Sequence, residues 1–245
     1  MTPTKERGLI MSHEMNLAYR AGKKSVTRRI SGLHDVNSSP DEWEFMGFKE
    51  EPNRLELAVA IFGHRENDLQ VIEVPCPYGM VGTPLWIKEA HTSELKYPNA
   101  PDHSPNFGKR RPIYKADKQP HVAKLMKWRE PYKMPRAYAR SFARLVSIGA
   151  ERLQDITEVG AIDEGMLTLP YELLYKLFPE WGAAHRDWLR LNDNSIPCPV
   201  GAKPRERFAE LIKSLHKSTV WEENLWTWVL KFEPINDYQP CTTGK

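Results

Sequence analysis

At 245 residues the chain can bury one sizeable core or two small ones, and a single domain with long insertions is expected. Its formal net charge of +3 is too mild to mark a nucleic-acid binder by itself. Three cysteines, Cys76, Cys198 and Cys241, form no CxxC pair, which argues against a disulfide framework or zinc site and for a reducing, cytoplasmic setting. No run of about eighteen apolar residues occurs, and MTPTKERG at the N-terminus lacks the apolar stretch of a signal peptide, so neither a membrane partner nor secretion is expected.

Arg7 to Met11 ends in the apolar run LIM, after which Ser12 can cap a helix running through HEMNLAYRAG, with Glu14 supporting its first turn. Met15, Leu17, Ala18 and Ala21 fall near helical spacing, and Gly22 is a natural stop. Val26 to Ile30 alternates as a short strand. GKKSVTRR at 22–29 therefore occupies a helix-to-strand corner, with Lys23, Lys24, Arg28 and Arg29 crowded around Ser25 and Thr27. Residues 31–53 are polar, acidic and turn-rich, which reads as a surface loop outside the core. LELAVAIF (55–62) and LQVIEV (69–74) read as a hairpin across GHREND, and LWIKEA (85–90) as a strand after the turn PCPYGMVGTP.

From His91 to Pro112 the chain is proline-rich and reads as irregular. FARLVSIGAERL (142–153) predicts a long strand, and DITEVGAIDEG a short helix capped by Asp155 or Thr157. Helices follow at Tyr171–Phe178 and Pro204–His216, the second with proline in its first turn, and LWTWVLKF (225–232) closes the core as a last strand. Trp86, Trp226 and Trp228 lie in strands and read as core. Short strands dominate, helices flank them, and no repeat period is visible.

Between Lys109 and Arg144 twelve cations face only Asp117 and Glu130, a local balance of +10. Lys127, Arg129, Arg136 and Arg140, with Trp128, Tyr132 and Tyr138 interleaved, combine groups that pair with phosphates and rings that stack on bases. Lys127, Trp128, Arg129, Arg136 and Arg140 are the candidate nucleic-acid contacts; the bland alternative is a solvated face.

The order of the segments GKKSVTRRI, CPYGxxGxxLWIKE, YKAD, KMPRAYARSFARLVSIGAERLQDITEVGAIDEG and LWTWVLKFEPI resembles the long phage-encoded branch of the ASCH family. That resemblance covers roughly half the chain and leaves insertions near 31–74, 92–112 and 180–220. It implies an α+β fold: a PUA-like, mixed, mostly antiparallel β-barrel with flanking helices. The family includes a small bacterial amidohydrolase that removes the acetyl group of N4-acetylcytidine. Its proposed lysine and threonine in GRKTxTxR match Lys24 and Thr27 here, and its glutamate matches Glu164 of AIDEGM. This chain departs from it in carrying Lys23 where that motif has arginine, and in being more than twice as long.

Deacylating an exocyclic amine needs a nucleophile, a base and an acid for the leaving nitrogen. Lys24, among Arg20, Lys23, Arg28 and Arg29, is expected to lose its proton more readily because like charges favour the neutral amine. Thr27 then acts as nucleophile or positions a water, Glu164 protonates the leaving amine, and Lys23, Arg28 and Arg29 hold the substrate. Glu89 either reads a base edge or pairs with a nearby arginine. No metal or cofactor is called for; His91, Asp102 and His103 read as a coincidental grouping. The expected partner is a modified nucleoside or RNA, or another nucleic acid. Two classes stay open: a hydrolase of acylated cytidine, and a non-catalytic PUA-like module in which the cations only position phosphate. A nuclease is less favoured.

Overall fold

In the computed structural model, residues 5–50, 55–95, 110–118, 120–168, 171–179, 203–216 and 219–236 are described. Strand β1 (Arg7–Ile10) runs into α1 (His13–Arg20), which starts where Ser12 stops the strand: the Met15 N–H donates to the Ser12 hydroxyl at 3.3 Å. Gly22 adopts φ +68°, and the chain reverses so that the Lys23 N–H donates to Ala18 O at 2.8 Å. Strand β2 (Val26–Arg29) begins just beyond this corner.

A five-stranded sheet carries the core, in the order β1, β6 (Pro84–Lys88), β9 (Phe142–Arg152), β10 (Trp226–Pro234), β2. Only the β1–β6 pair is parallel. Helix α1 thus carries the chain from one edge of the sheet to the other. Both edges meet at one side chain, because Arg29 Nη2 donates to Ile10 O at 2.6 Å. No strand ladder joins β1 to β2, so the fold is α+β with separate sheets and the expected closed barrel is not formed among the described residues. The reason lies in β2 itself. Its outward Arg28 N–H is taken by the Glu164 carboxylate at 2.6 Å, so a side chain satisfies the edge that a strand would otherwise pair.

The 31–53 segment corrects the loop expectation. It holds α2 (His34–Asn37) and β3 (Trp43–Phe48), and β3 pairs with β4 (Val59–His64), which pairs with β5 (Asn67–Pro75). The β4–β5 hairpin turns at Arg65–Glu66, inside the expected GHREND turn, while β4 begins at Val59, later than LELAVAIF suggested. This second sheet packs on the first: Phe62 meets Trp226 edge-on at 5.2 Å and Phe48 stacks on Trp228 at 6.4 Å, forming one core with Leu9, Leu85 and Leu230. Trp226 and Trp228 are core as expected, whereas Trp86 is only half-buried, with Lys88 Nζ 4.9 Å above its ring.

A third departure is a hairpin of β7 (His91–Leu95) and β8 (Arg110–Tyr114) where irregular chain was expected. The long strand β9 and the last strand β10 fall as predicted. Helix α4 (Glu158–Asp163) is capped by Thr157 and not Asp155, its hydroxyl accepting from Gly160 N–H at 3.0 Å. Helix α3 (Pro120–Leu125) lies in the basic segment; α5 (Tyr171–Leu177), α6 (Pro204–Leu215) and α7 (Thr219–Glu222) follow α4. Phe208 and Leu211 of α6 join the core, so this part of the presumed 180–220 insertion is structural. Cys198, Cys241, Asp102, His103 and Lys109 lie outside the described residues; Cys76 is buried and free. Among the described residues no helix is long and apolar enough to cross a membrane.

Candidate functional site

Helix α4 ends at Glu164, and Gly165 with φ +91° turns the chain away immediately after it. Backbone anchors the two halves together, since Ser25 N–H donates to Asp163 O at 2.9 Å. Across a separation of 140 residues, Lys24 Nζ then donates to Glu164 Oε2 at 2.5 Å, to Glu164 O at 2.9 Å and to Val26 O at 2.8 Å. Three acceptors saturate the three protons of an ammonium group. The other carboxylate oxygen of Glu164 accepts from the Arg28 N–H, with Arg28 Nη1 3.4 Å away. Only 1% of the Lys24 side chain and 5% of that of Glu164 is exposed. Arg28 completes the cluster by donating from Nε to Glu151 Oε1 at 2.6 Å while its guanidinium lies 5.8 Å above the Phe208 ring.

Burial is the main force lowering the Lys24 pKa; the Glu164 charge and hydrogen bond oppose it, and Arg29 and Arg28 add to it. The direction is the one expected, but its cause is corrected: desolvation leads and like charge is secondary. Lys23 is exposed, and Arg20 is turned away to pair with Asp117 at 2.9 Å.

Thr27 is completely buried on β2 opposite Leu230, and strand alternation puts it on the face away from the Arg28 side chain. Its hydroxyl has no hydrogen-bond partner among the described residues. The structure thus brings Lys24, Glu164 and Arg28 into one cluster, with Thr27 on the strand that the cluster clamps. The cluster is closed to solvent. A mainly apolar cavity of about 220 Å³ lies behind Arg28, lined also by Ile30, Leu153, Ile212, His216 and Thr227.

Of the candidate substrate contacts, Arg29 is engaged with Ile10 O, and Glu89 has taken the arginine alternative. Glu89, 2% exposed, accepts from Arg140 Nε at 2.8 Å and Nη2 at 2.9 Å. Arg140 also pairs with Asp117 and lies 3.7 Å above the Tyr114 ring. Arg136 is likewise engaged, its Nη2 donating to Glu6 Oε1 at 3.0 Å. Two acids from outside the segment, Glu6 and Glu89, therefore engage Arg136 and Arg140. Lys127 and Arg129 are exposed; Trp128 is half-buried and held by donation from Nε1 to Ala123 O at 2.7 Å.

Three polar residues went unnoticed in the sequence: Asn16, His13 and Glu151. Asn16 carried a legible signal, an amide among the buried Met15, Ala18 and Tyr19 of α1. No protein-family model, curated protein or solved structure matches this chain.

Proposed function

We propose that the chain hydrolyses the acyl amide of an N4-acetylcytidine-like nucleoside at Lys24 and Glu164, and that the five-stranded sheet is an open variant of the PUA-like fold. The observation that carries this reading is a fully buried ion pair, 2.5 Å long, clamping the strand that presents an unbonded threonine hydroxyl. Burial penalises two charges more than the neutral tautomer, in which the proton has moved from Nζ to Oε2. That tautomer holds a free amine base and a carboxylic acid in contact.

The steps balance on these groups. Lys24 takes a proton from Thr27 Oγ1, or from a water that Thr27 positions, as the oxygen adds to the acyl carbon. The C–N bond then breaks, and Glu164 gives its proton to the departing N4 amine. If Thr27 attacked, Lys24 first passes its proton to Glu164; the amine then takes a proton from the water that adds to the acyl ester, the C–O bond to Thr27 breaks as Glu164 returns a proton to Thr27 Oγ1, and acetate leaves. The charge on the tetrahedral oxygen is offset by the Arg29 cation, two residues from Thr27 on the same face of β2. Because the pair is closed to solvent, turnover requires α4 to draw back from β2.

The test is acetate release from N4-acetylcytidine. Wild type releases acetate, Lys24→Ala does not, and Lys24→Arg fails as well because a guanidinium stays protonated. A wild-type chain that releases no acetate sinks the hydrolase.

One observation favours a second reading, a non-catalytic module for RNA or modified nucleic acid. Every Lys24 proton is already engaged, as in a structural lock on the β2 edge, while Lys127 and Arg129 stand exposed beside Trp128. Salt-dependent RNA affinity without acetate release selects it.

A further inference from the structure

Helix α1 carries His13, Asn16 and Arg20 on one face, at i, i+3 and i+7. Both ends of that face are placed by their neighbours. Arg20 pairs with Asp117, and His13 lies within electrostatic reach of Glu89 and Lys115. Asn16, between them, has no exposed surface, yet neither its amide oxygen nor its amide nitrogen has a hydrogen-bond partner among the described residues. An unpaired buried polar group is destabilising, a cost that an alanine or leucine here would avoid.

Neighbouring side chains do not supply the missing bonds, because they satisfy one another. Both oxygens of Glu89 go to Arg140, and Asp117 sits between Arg140 and Arg20. A second unpartnered group flanks Glu89: His91, two residues on along the chain, is 1% exposed and its Nε2 is also without a partner among the described residues. The ion pairs link α1, through Arg20, to the chain at Glu89, and Asn16 and His91 in these two segments still have bonding capacity.

We infer that Asn16 reads the hydrogen-bonding edge of a nucleobase held between α1 and the chain at Glu89–His91. The inference rests on the nucleoside reading above and names the residue that recognises the base. A carboxamide sets a donor beside an acceptor, the complement of a base edge such as N4–H beside N3 of cytosine, and N4-acylation leaves one N4–H in place. Glu89 holds Arg140 and through it Asp117, so it is a positioning residue.

The experiment is calorimetric titration of the full chain with cytidine and with N4,N4-dimethylcytidine, which lacks the N4–H donor. Wild type is expected to prefer cytidine by about tenfold or more. Asn16→Leu is expected to bind the two nucleosides equally, with a thermal midpoint at or above that of wild type because the orphaned amide is gone. Equal binding of the two nucleosides by wild type, or binding of neither, overturns the inference. So does an Asn16→Leu protein that keeps the preference. Should that variant fail to fold, Asn16→Asp decides through affinity: its carboxylate can still accept from N4–H but has no proton for N3, so undiminished binding of cytidine at neutral pH overturns the inference and weakened binding supports it. Cytidine has no acyl group, which separates this test from turnover. Asn16-dependent binding without acetate release retires only the hydrolase, and acetate release with an unaltered preference in Asn16→Leu retires only the base reader.

Discussion

Glu164→Gln removes one charge from the buried pair and keeps the shape of the side chain. The amide oxygen can still accept from the Arg28 N–H, and Lys24 keeps its bonds to Val26 O and to the residue-164 carbonyl. The variant loses the counter-charge 2.5 Å from an ammonium only 1% exposed. Breaking a buried pair by removing one partner costs about 3–5 kcal/mol, and the surviving hydrogen bonds put this variant near the lower end, about 3 kcal/mol at neutral pH. The cost depends on pH with a definite sign. Burial holds the Lys24 pKa below the ordinary 10.5, and Glu164 is what opposes that push, so the variant's lysine is lowered further. Between the folded and unfolded values the unfolded chain binds the extra proton, so stability rises with pH toward 10.5, more steeply in the variant than in wild type. The gap between them therefore narrows as pH climbs. Urea unfolding followed by the fluorescence of the buried tryptophans, at several pH values from about 7 to 10, measures it. A cost below about 1 kcal/mol, the scale of an exposed pair, or a gap that does not change with pH, would refute the argument.

Thr27→Val deletes a buried hydroxyl that has no partner among the described residues, so unfolding free energy should stay level or rise by up to about 1 kcal/mol while acetate release from N4-acetylcytidine is abolished; a lowered stability means the hydroxyl is bonded in solution. Arg140→Ala strands Glu89 in the interior and should cost about 3–5 kcal/mol by chemical denaturation, with no change in the salt slope of RNA binding. In contrast, Lys127→Ala should leave stability within about 0.5 kcal/mol and lower that slope by about one for each phosphate it no longer neutralises; an equal effect of the two variants on the slope would contradict the division between engaged and exposed cations. Burial lowers the pKa of His91 below 6.5, so the unfolded state takes up a proton first as pH falls, and stability should decline below pH 6.5. His91→Gln should flatten that decline in a thermal-melt series; an unchanged profile assigns it to His13 and His216, whose values burial lowers in the same direction.

Signals that act within a turn or two of chain were legible in the sequence. Ser12, Gly22 and Thr157 set helix ends through their own side chains or backbone, and β9 follows from a proline-free run rich in apolar residues. β3 was hidden because Trp43, Phe45 and Phe48 sit among acids and glycine, and local composition outweighed an alternation that only packing against Phe62 and Trp228 makes decisive. Lys24 and Glu164 were named from the resemblance, but their direct pairing, their closure from solvent and the role of burial in lowering the lysine pKa belong to the tertiary structure. So does the fate of the basic segment, where Glu89 and Glu6 answer Arg140 and Arg136 from distant positions in the chain. Caps and turns are satisfied by neighbours in sequence, so residue order alone specifies them. Desolvation and ion pairing depend on which groups share a volume from which water is excluded, and that volume exists only once the sheets and helices have packed.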